Sequence, residues 1–173
     1  TSIARPYLSG LRDTTGVSTH LSVLEGFDVL YLGSHQARTG FVSNMVVGSR
    51  TQAYASAIGW CLLGALSDAE LAAFCDTVDF VRFTEHTPMT PQELQARVAQ
   101  TRTDGYVVSQ GFREPGGSSV AVPVRNNAGA IVACVNLSGP DVGFDFDRLD
   151  SFYIPEATAA AQRISQELGY QSG

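Results

Sequence analysis

The side chains of this sequence best suited to nucleophilic, acid–base or metal chemistry are the histidines His20, His35 and His86 and the cysteines Cys61, Cys75 and Cys134. Their spacing does not support such chemistry. The histidines are far apart and form no metal-ligand pattern, and a strand histidine such as His20 is expected to be a hydrogen-bonded structural residue. The cysteines are odd in number, distant from one another and set in apolar surroundings, which reads as reduced core thiols. A Cys134 nucleophile would need an oriented base and a lowered pKa, and the sequence shows neither. No G-x-S-x-G elbow, Walker loop, G-x-G-x-x-G or H-E-x-x-H is present. Asp141, Asp145, Asp147 and Asp150 lack the glycine and the closing glutamate of a calcium loop and suit the positive end of a following helix instead. Arg38, Arg50, Arg113 and Arg125 could each hold a carboxylate through a bidentate pair, although a solvated arginine is the plainer reading of each. No catalytic residue, metal site or cofactor is expected.

Binding is the chemistry that remains, and it concentrates between Ser109 and Pro140. Residues alternate at period two on both sides of Asn126-Asn127-Ala128-Gly129, the pattern of a β-hairpin. A loop of two or four residues there sets Ser119 opposite Asn136, Ala121 opposite Cys134 and Pro123 opposite Val132. One face then carries Val120, Val122, Val124, Ile131, Ala133, Val135 and Leu137, a core set. The other carries Ser119, Ala121, Cys134, Asn136 and Ser138, small and partly hydrogen-bonding. A solvated face would carry charge and length, so this one suits either a floor for a small, partly polar molecule or an ordinary face covered by a loop.

The rest of the chain must position that hairpin. Its 173 residues, 44% apolar and 16% charged, suit one globular domain over 1–173. Net charge is −6, all eleven basic residues are arginine, and no arginine cluster offers a grip on a phosphate backbone. Neither a membrane-length apolar run nor a signal peptide is visible, so a cytoplasmic protein without membrane partners is expected. Helical spacing from Ile3 to Leu11 stops at Gly16, and strands over Val17–Leu24 and Val29–Ser34 flank a turn at Glu25-Gly26-Phe27-Asp28. Residues 35–48 form a loop long enough to be a lid or binding segment. A small-residue helix is predicted from Arg50 to Leu66, with Gly59 placed for close packing on a sheet or a ligand. Capping boxes at Ser67–Glu70 and Thr90–Glu93 open two further helices. A strand follows over Gly105–Gln110, and a last helix runs from Leu149 to Leu168, with Pro155 either kinking it or marking its true start. The sum is an α+β fold with an antiparallel sheet of about five to six strands flanked by helices.

The run Val47-Gly48-Ser49-Arg50-Thr51-Gln52-Ala53-Tyr54-Ala55-Ser56-Ala57-Ile58-Gly59 with Leu62-Leu63 resembles the signature of the IclR family of bacterial transcriptional regulators. So do Arg82-Phe83-Thr84, Gly105-Tyr106 with Glu114 and Gly116, Ala121-Val122-Pro123-Val124-Arg125 and Leu137-Ser138-Gly139-Pro140, in order from about Ile3 to Gly169. The resemblance implies the C-terminal effector-binding domain, a GAF/PAS-like fold. It also implies that the winged helix-turn-helix which contacts DNA is an N-terminal segment absent from this chain. It further implies a homodimer or tetramer, regulation by repression or activation, and a small organic acid or aromatic metabolite as effector. The implied effector site comprises Ala57, Ile58, Ser109, Ser119, Asn136 and Ser138, with Met45, Tyr54 and Cys134 nearby and Phe41 and Trp60 adding apolar contact. This chain departs from the family where Ser109 replaces a frequent acid, Ser118 an arginine, Gln52 a proline, Tyr54 a histidine and Trp60 a basic residue. Those departures favour a larger, aromatic ligand over a glyoxylate-like one. A GAF-like enzyme and a ligand-free oligomerisation module are the alternatives.

Overall fold

The computed structural model describes residues 1–38 and 45–173. The chain runs α1 (Arg5–Thr15), β1 (Ser18–Glu25), β2 (Asp28–His35), β3 (Arg50–Gln52), α2 (Ala57–Leu63), α3 (Asp68–Thr77) and α4 (Pro91–Asp104). It continues with β4 (Val107–Gln110), β5 (Gly117–Arg125), β6 (Ile131–Pro140) and α5 (Ile154–Glu167). The six strands form one antiparallel sheet in the order β3-β2-β1-β6-β5-β4, the α+β architecture expected.

The sheet separates two cores, because alternating side chains on each strand point to opposite faces. Leu21, Val120, Val122, Val124, Val135 and Leu137 meet α1 and α5 on one face, through Leu8, Leu11, Ala157, Ala161 and Ile164. On the other, Val29, Tyr31, Val107, Ala121 and Cys134 meet α2, α3 and α4. α1 stops where Gly16 adopts φ 73°, a left-handed cap that costs glycine least. The box opening α3 is complete: Ser67 Oγ accepts from the Glu70 amide at 3.1 Å while Glu70 Oε1 accepts from the Ser67 amide at 3.0 Å. At α4 the Thr90 hydroxyl takes the Glu93 amide, but Glu93 reaches back to the amide of Met89. Pro155 marks the true start of the last helix: residues Leu149–Tyr153 form a π turn, and α5 begins at Ile154 with the proline in its first turn.

Other sequence-based expectations are corrected as well. The helix predicted from Arg50 is a strand, a 3-10 turn at Ala53–Ala55 and only then α2. Arg50 and Gln52 pair with Leu30 and Asp28 of β2, and this tertiary pairing overrides the helical preference of the small residues. Ser56 then caps α2, its hydroxyl accepting from the Gly59 amide at 3.1 Å. Gly59 is required because a Cβ there would lie 1.9 Å from the carbonyl oxygen of Ala53, so the close neighbour is the chain's own 3-10 turn.

The β5–β6 register is shifted by two residues from the expected one, setting Ser119 opposite Ser138, Ala121 opposite Asn136 and Pro123 opposite Cys134. A loop between Arg125 and Ile131, closed by Asn126 Oδ1 on the amides of Ala128 and Ala130, flips the side-chain parity once. The bulge beside Arg125 flips it back, so the two faces keep their predicted membership except at Ile131. Ile131 lies beyond that bulge and leaves the predicted core face: its Cδ1 approaches Gly64 at the end of α2.

Candidate functional site

The sheet face beneath α2 carries a rung of four serines. Ser18, Ser138, Ser119 and Ser109 are successive cross-strand partners on β1, β6, β5 and β4. A cavity of about 360 Å³ lies over this rung, with Ser138, Ser119 and Ser109 in its floor and Ala57 and Ile58 of α2 above. Tyr31 and Thr51 close one side, Met45 lies beside them, and the bend from Arg113 to Gly117 with Gly139-Pro140 forms the other. The size is that of sites for small metabolites.

The floor is polar in an unusual way. The hydroxyl oxygens of Ser119 and Ser138 are buried and have no hydrogen-bond partner among the described residues. The next rung on the same face continues the pattern: His20, opposite Asn136, which is opposite Ala121. Both ring nitrogens of His20, both amide atoms of Asn136 and the hydroxyl of Ser22 are likewise without partners, and all three residues are fully buried. A buried unsatisfied polar group costs roughly 1–3 kcal/mol, so stability alone does not account for five such side chains on three adjacent strands.

The electrostatics keep this floor uncharged. Burial, with a smaller contribution from His35, holds His20 down at about 4, so its imidazole is neutral near pH 7. Its ring meets Tyr31 edge-on at 5.5 Å, and burial pushes the Tyr31 phenol above its ordinary value, leaving that group neutral also. Among the described residues the charged groups of the lining, Arg113 and Glu114, both lie in the bend at the mouth. Arg113 is half-buried, its guanidinium stacked 3.8 Å over Phe83, with Nε donating to Thr51 Oγ1 at 3.3 Å and Nη2 to Gln52 Oε1 at 3.0 Å. The other arginines considered from sequence are engaged elsewhere: Arg38 with Asp13, Arg50 with Glu25 and Arg125 with the Gly129 carbonyl. Arg113 forms no ion pair among the described residues, which leaves donors for an anion at the cavity edge.

Of the residues named from sequence, Met45, Ala57, Ile58, Ser109, Ser119 and Ser138 line the cavity together. Asn136 lies one rung deeper, below the lining rather than in it. Three others are corrected. The Tyr54 hydroxyl is tied to the Val81 backbone, donating to its carbonyl at 2.9 Å and accepting from its amide at 2.8 Å, and its ring packs on Phe80 and Phe83. Trp60 donates to the Tyr54 carbonyl at 2.7 Å and stacks with Phe112 and Arg97 beside a different cavity, near α4. Cys134 is sealed beneath α2; burial, with a hydrogen bond to Cys61, pushes its thiol well up, the opposite of what a thiolate nucleophile needs. Phe41 lies outside the described residues. Arg113, one of four arginines that the sequence offers as carboxylate holders, is the one that lines the cavity, whereas His20, expected to be a hydrogen-bonded structural residue, has no partner for either ring nitrogen among the described residues. Strand parity places His20 on the Ser18 and Ser22 face, but its missing partner is a property of the fold. Among the described residues no group of three metal-ligating side chains comes together.

Comparison with known proteins points the same way as this geometry. Residues 1–166 match the family described as bacterial transcriptional regulator IclR C-terminal. The chain is 31% identical over 167 residues to the HTH-type transcriptional regulator XynR of Escherichia coli K12, covering 96% of this chain and 66% of that protein. It superposes with a TM-score of 0.92 on a transcriptional regulator of Rhodococcus sp. RHA1, at 34% identity, covering 96% of this chain and 68% of the other. An IclR homologue of Microbacterium hydrocarbonoxydans, solved with 4-hydroxybenzoate, shares the fold at TM-score 0.84 and 23% identity, over 96% of this chain and 67% of its own. The chain spans about half to two thirds of the length of the curated relatives it matches.

Proposed function

The chain belongs to the bacterial transcriptional regulator IclR C-terminal family, and from that premise we propose that it is the effector-sensing domain of a longer regulator. Its ligand is a small aromatic acid held over the serine rung. The observation that carries this reading is the pairing of the buried Ser119 and Ser138 hydroxyls in the cavity floor, without partners among the described residues, with an arginine in the lining that makes no ion pair among them, although Glu114 lines the same bend. A carboxylate at Arg113 gains charge-assisted hydrogen bonds. Ile58, Met45, Tyr31 and Pro140 supply apolar area for a ring, and the serines fix its orientation. The 4-hydroxybenzoate bound to the Microbacterium homologue supports an aromatic acid here.

Binding acts on DNA at a distance. A ligand shifts an equilibrium only by its differential affinity for two states, here two arrangements of a homodimer or tetramer that space the N-terminal winged helix-turn-helix domains differently on an operator. In this reading the protein is cytoplasmic, reaches DNA only through that segment, and performs no catalysis.

A thermal-shift screen of the chain against a panel of aromatic carboxylic acids tests the proposal. A ligand that binds only the folded state stabilises it by about 2.7 kcal/mol at a hundred times its Kd, so a binder gives a clear rise in melting temperature. Ser119→Leu fills the floor and is expected to abolish the rise while leaving the fold intact. A panel in which no acid raises the melting temperature, or a variant that responds like the parent, refutes the assignment.

A further inference from the structure

The serine rung accounts for the cavity floor but leaves the rung beneath it unexplained. His20, Asn136 and Ser22 contribute five buried polar atoms without partners among the described residues, and none of the three lies in the cavity lining itself. They share the lining's face, because Ser18, His20 and Ser22 alternate on β1 as Ser138, Asn136 and Cys134 do on β6. Same-face neighbours two residues apart on a strand are separated by about 7 Å, so a benzene-sized ring seated over Ser119 and Ser138 brings its far edge towards Asn136 and His20.

The chemistry of that inner rung is selective. Asn136 offers a donor and an acceptor, His20 a donor and an acceptor as a neutral imidazole, and Ser22 a hydroxyl. None of these carries charge, and among the described residues the cavity lining holds one cation, Arg113, and one carboxylate, Glu114, both in the bend at the mouth rather than at the inner end. An ionised carboxylate placed at the inner end would be desolvated with no cation to meet it, a costly arrangement. A hydroxyl donates and accepts at once, which is what these groups lack.

We infer that His20 and Asn136, backed by Ser22, form an inner recognition tier that reads a neutral hydroxyl on the ligand's buried end while its carboxylate stays at Arg113. The ligand class is therefore a hydroxy-substituted aryl carboxylate with the two groups at opposite ends of the ring. The inference rests on the proposed effector site and adds its polarity and a specificity determinant, His20. A site built to hydrogen-bond a hydroxyl discriminates strongly against the analogue that lacks it, because its own polar groups are then left unpaired.

The test is calorimetric titration of the chain with 4-hydroxybenzoate and with benzoate. The parent is expected to prefer the hydroxylated acid by at least about tenfold. Asn136→Leu, which keeps the size and removes both polar atoms, and His20→Phe, which keeps a ring and removes both nitrogens, should each reduce that ratio to about threefold or less. The two variants are independent, so a folding defect in one leaves the other to decide. Equal affinity of the parent for both acids, or a preference that survives both substitutions, overturns the inner tier while the effector site stands. If neither acid binds and no other aromatic acid does, the effector site itself falls and the tier with it.

Discussion

Asn136→Leu should make the ligand-free protein more stable. In the fold the asparagine is fully buried, on the central strand β6 between β1 and β5, with neither its amide nitrogen nor its carbonyl oxygen hydrogen-bonded among the described residues. Leaving such a group unsatisfied costs roughly 1–3 kcal/mol, whereas an apolar group of the same shape is near neutral or stabilising. Its surroundings suit leucine: Ala121 is the cross-strand neighbour on one side, and Cys134 lies two residues along the same face. A gain of about 2 kcal/mol follows, and for a domain of this size about 2–4 °C accompanies each kcal/mol, so the melting temperature should rise by roughly 4–8 °C. Urea denaturation and calorimetry on protein freed of bound small molecules measure it, since a ligand carried through purification would stabilise the parent and mask the difference. Ser138→Ala serves as a milder companion, removing one partnerless hydroxyl. A loss of about 1 kcal/mol or more in Asn136→Leu would refute the reasoning, because it would mean that the amide is satisfied in the folded protein without a ligand.

The histidine beneath the cavity predicts an acid-sensitive stability. His20 titrates at about 4 in the fold against about 6.5 when unfolded, so the unfolded chain binds its proton first; this stability is complete above pH 6.5 and is lost as pH falls towards 4, about 3 kcal/mol in all. Chemical denaturation between pH 7 and pH 4 should show a shallower decline for His20→Phe than for the parent, and parallel curves would count against it. Gly59→Ala gains about 1 kcal/mol of helix propensity but drives a Cβ into the Ala53 carbonyl, so a net loss of more than about 2 kcal/mol is expected in urea; a stabilised variant would contradict the geometry. Arg113→Met, which keeps the apolar stem and removes the charge, should weaken an aromatic acid about ten- to a hundredfold while leaving the matching uncharged phenol nearly unaffected, as measured by titration. Equal losses for acid and phenol would show that the arginine acts through packing on Phe83 alone.

What sequence reasoning recovers and what it misses divide along a physical line. Faces are legible because strand alternation has a period of two. The β5–β6 pairing slid by two residues from the expected register, yet Ser119, Ala121, Cys134, Asn136 and Ser138 stayed together, since the loop and the bulge beside Arg125 cancel in parity. Helix ends are legible where one side chain closes the turn, as at Ser67, Thr90 and Gly16. The segment from Arg50 was misread because alanine-rich composition reports local preference, while its strand exists through pairing with β2, whose partners Leu30, Val29 and Asp28 lie well back along the chain. The same limit left Arg113 indistinguishable from Arg38, Arg50 and Arg125 in the sequence, and made His20 read as a hydrogen-bonded structural residue. Whether a histidine has a partner, or an arginine a carboxylate, depends on which residues the fold brings beside it, and no spacing along the chain encodes that. Partnership, more than residue type, marks this site. Arg38 and Arg50 are the same residue as Arg113, and each is matched by an acid, whereas Arg113 is held by two neutral oxygens and a phenyl ring. Likewise the serine that caps α2 is satisfied by a backbone amide, while Ser119 and Ser138 are not. Among the described residues the fold satisfies its polar groups at the capped helix ends and leaves them without partners over one patch of the sheet, and that contrast, within one chain and one set of residue types, is the physical basis of the proposal that a ligand completes the patch.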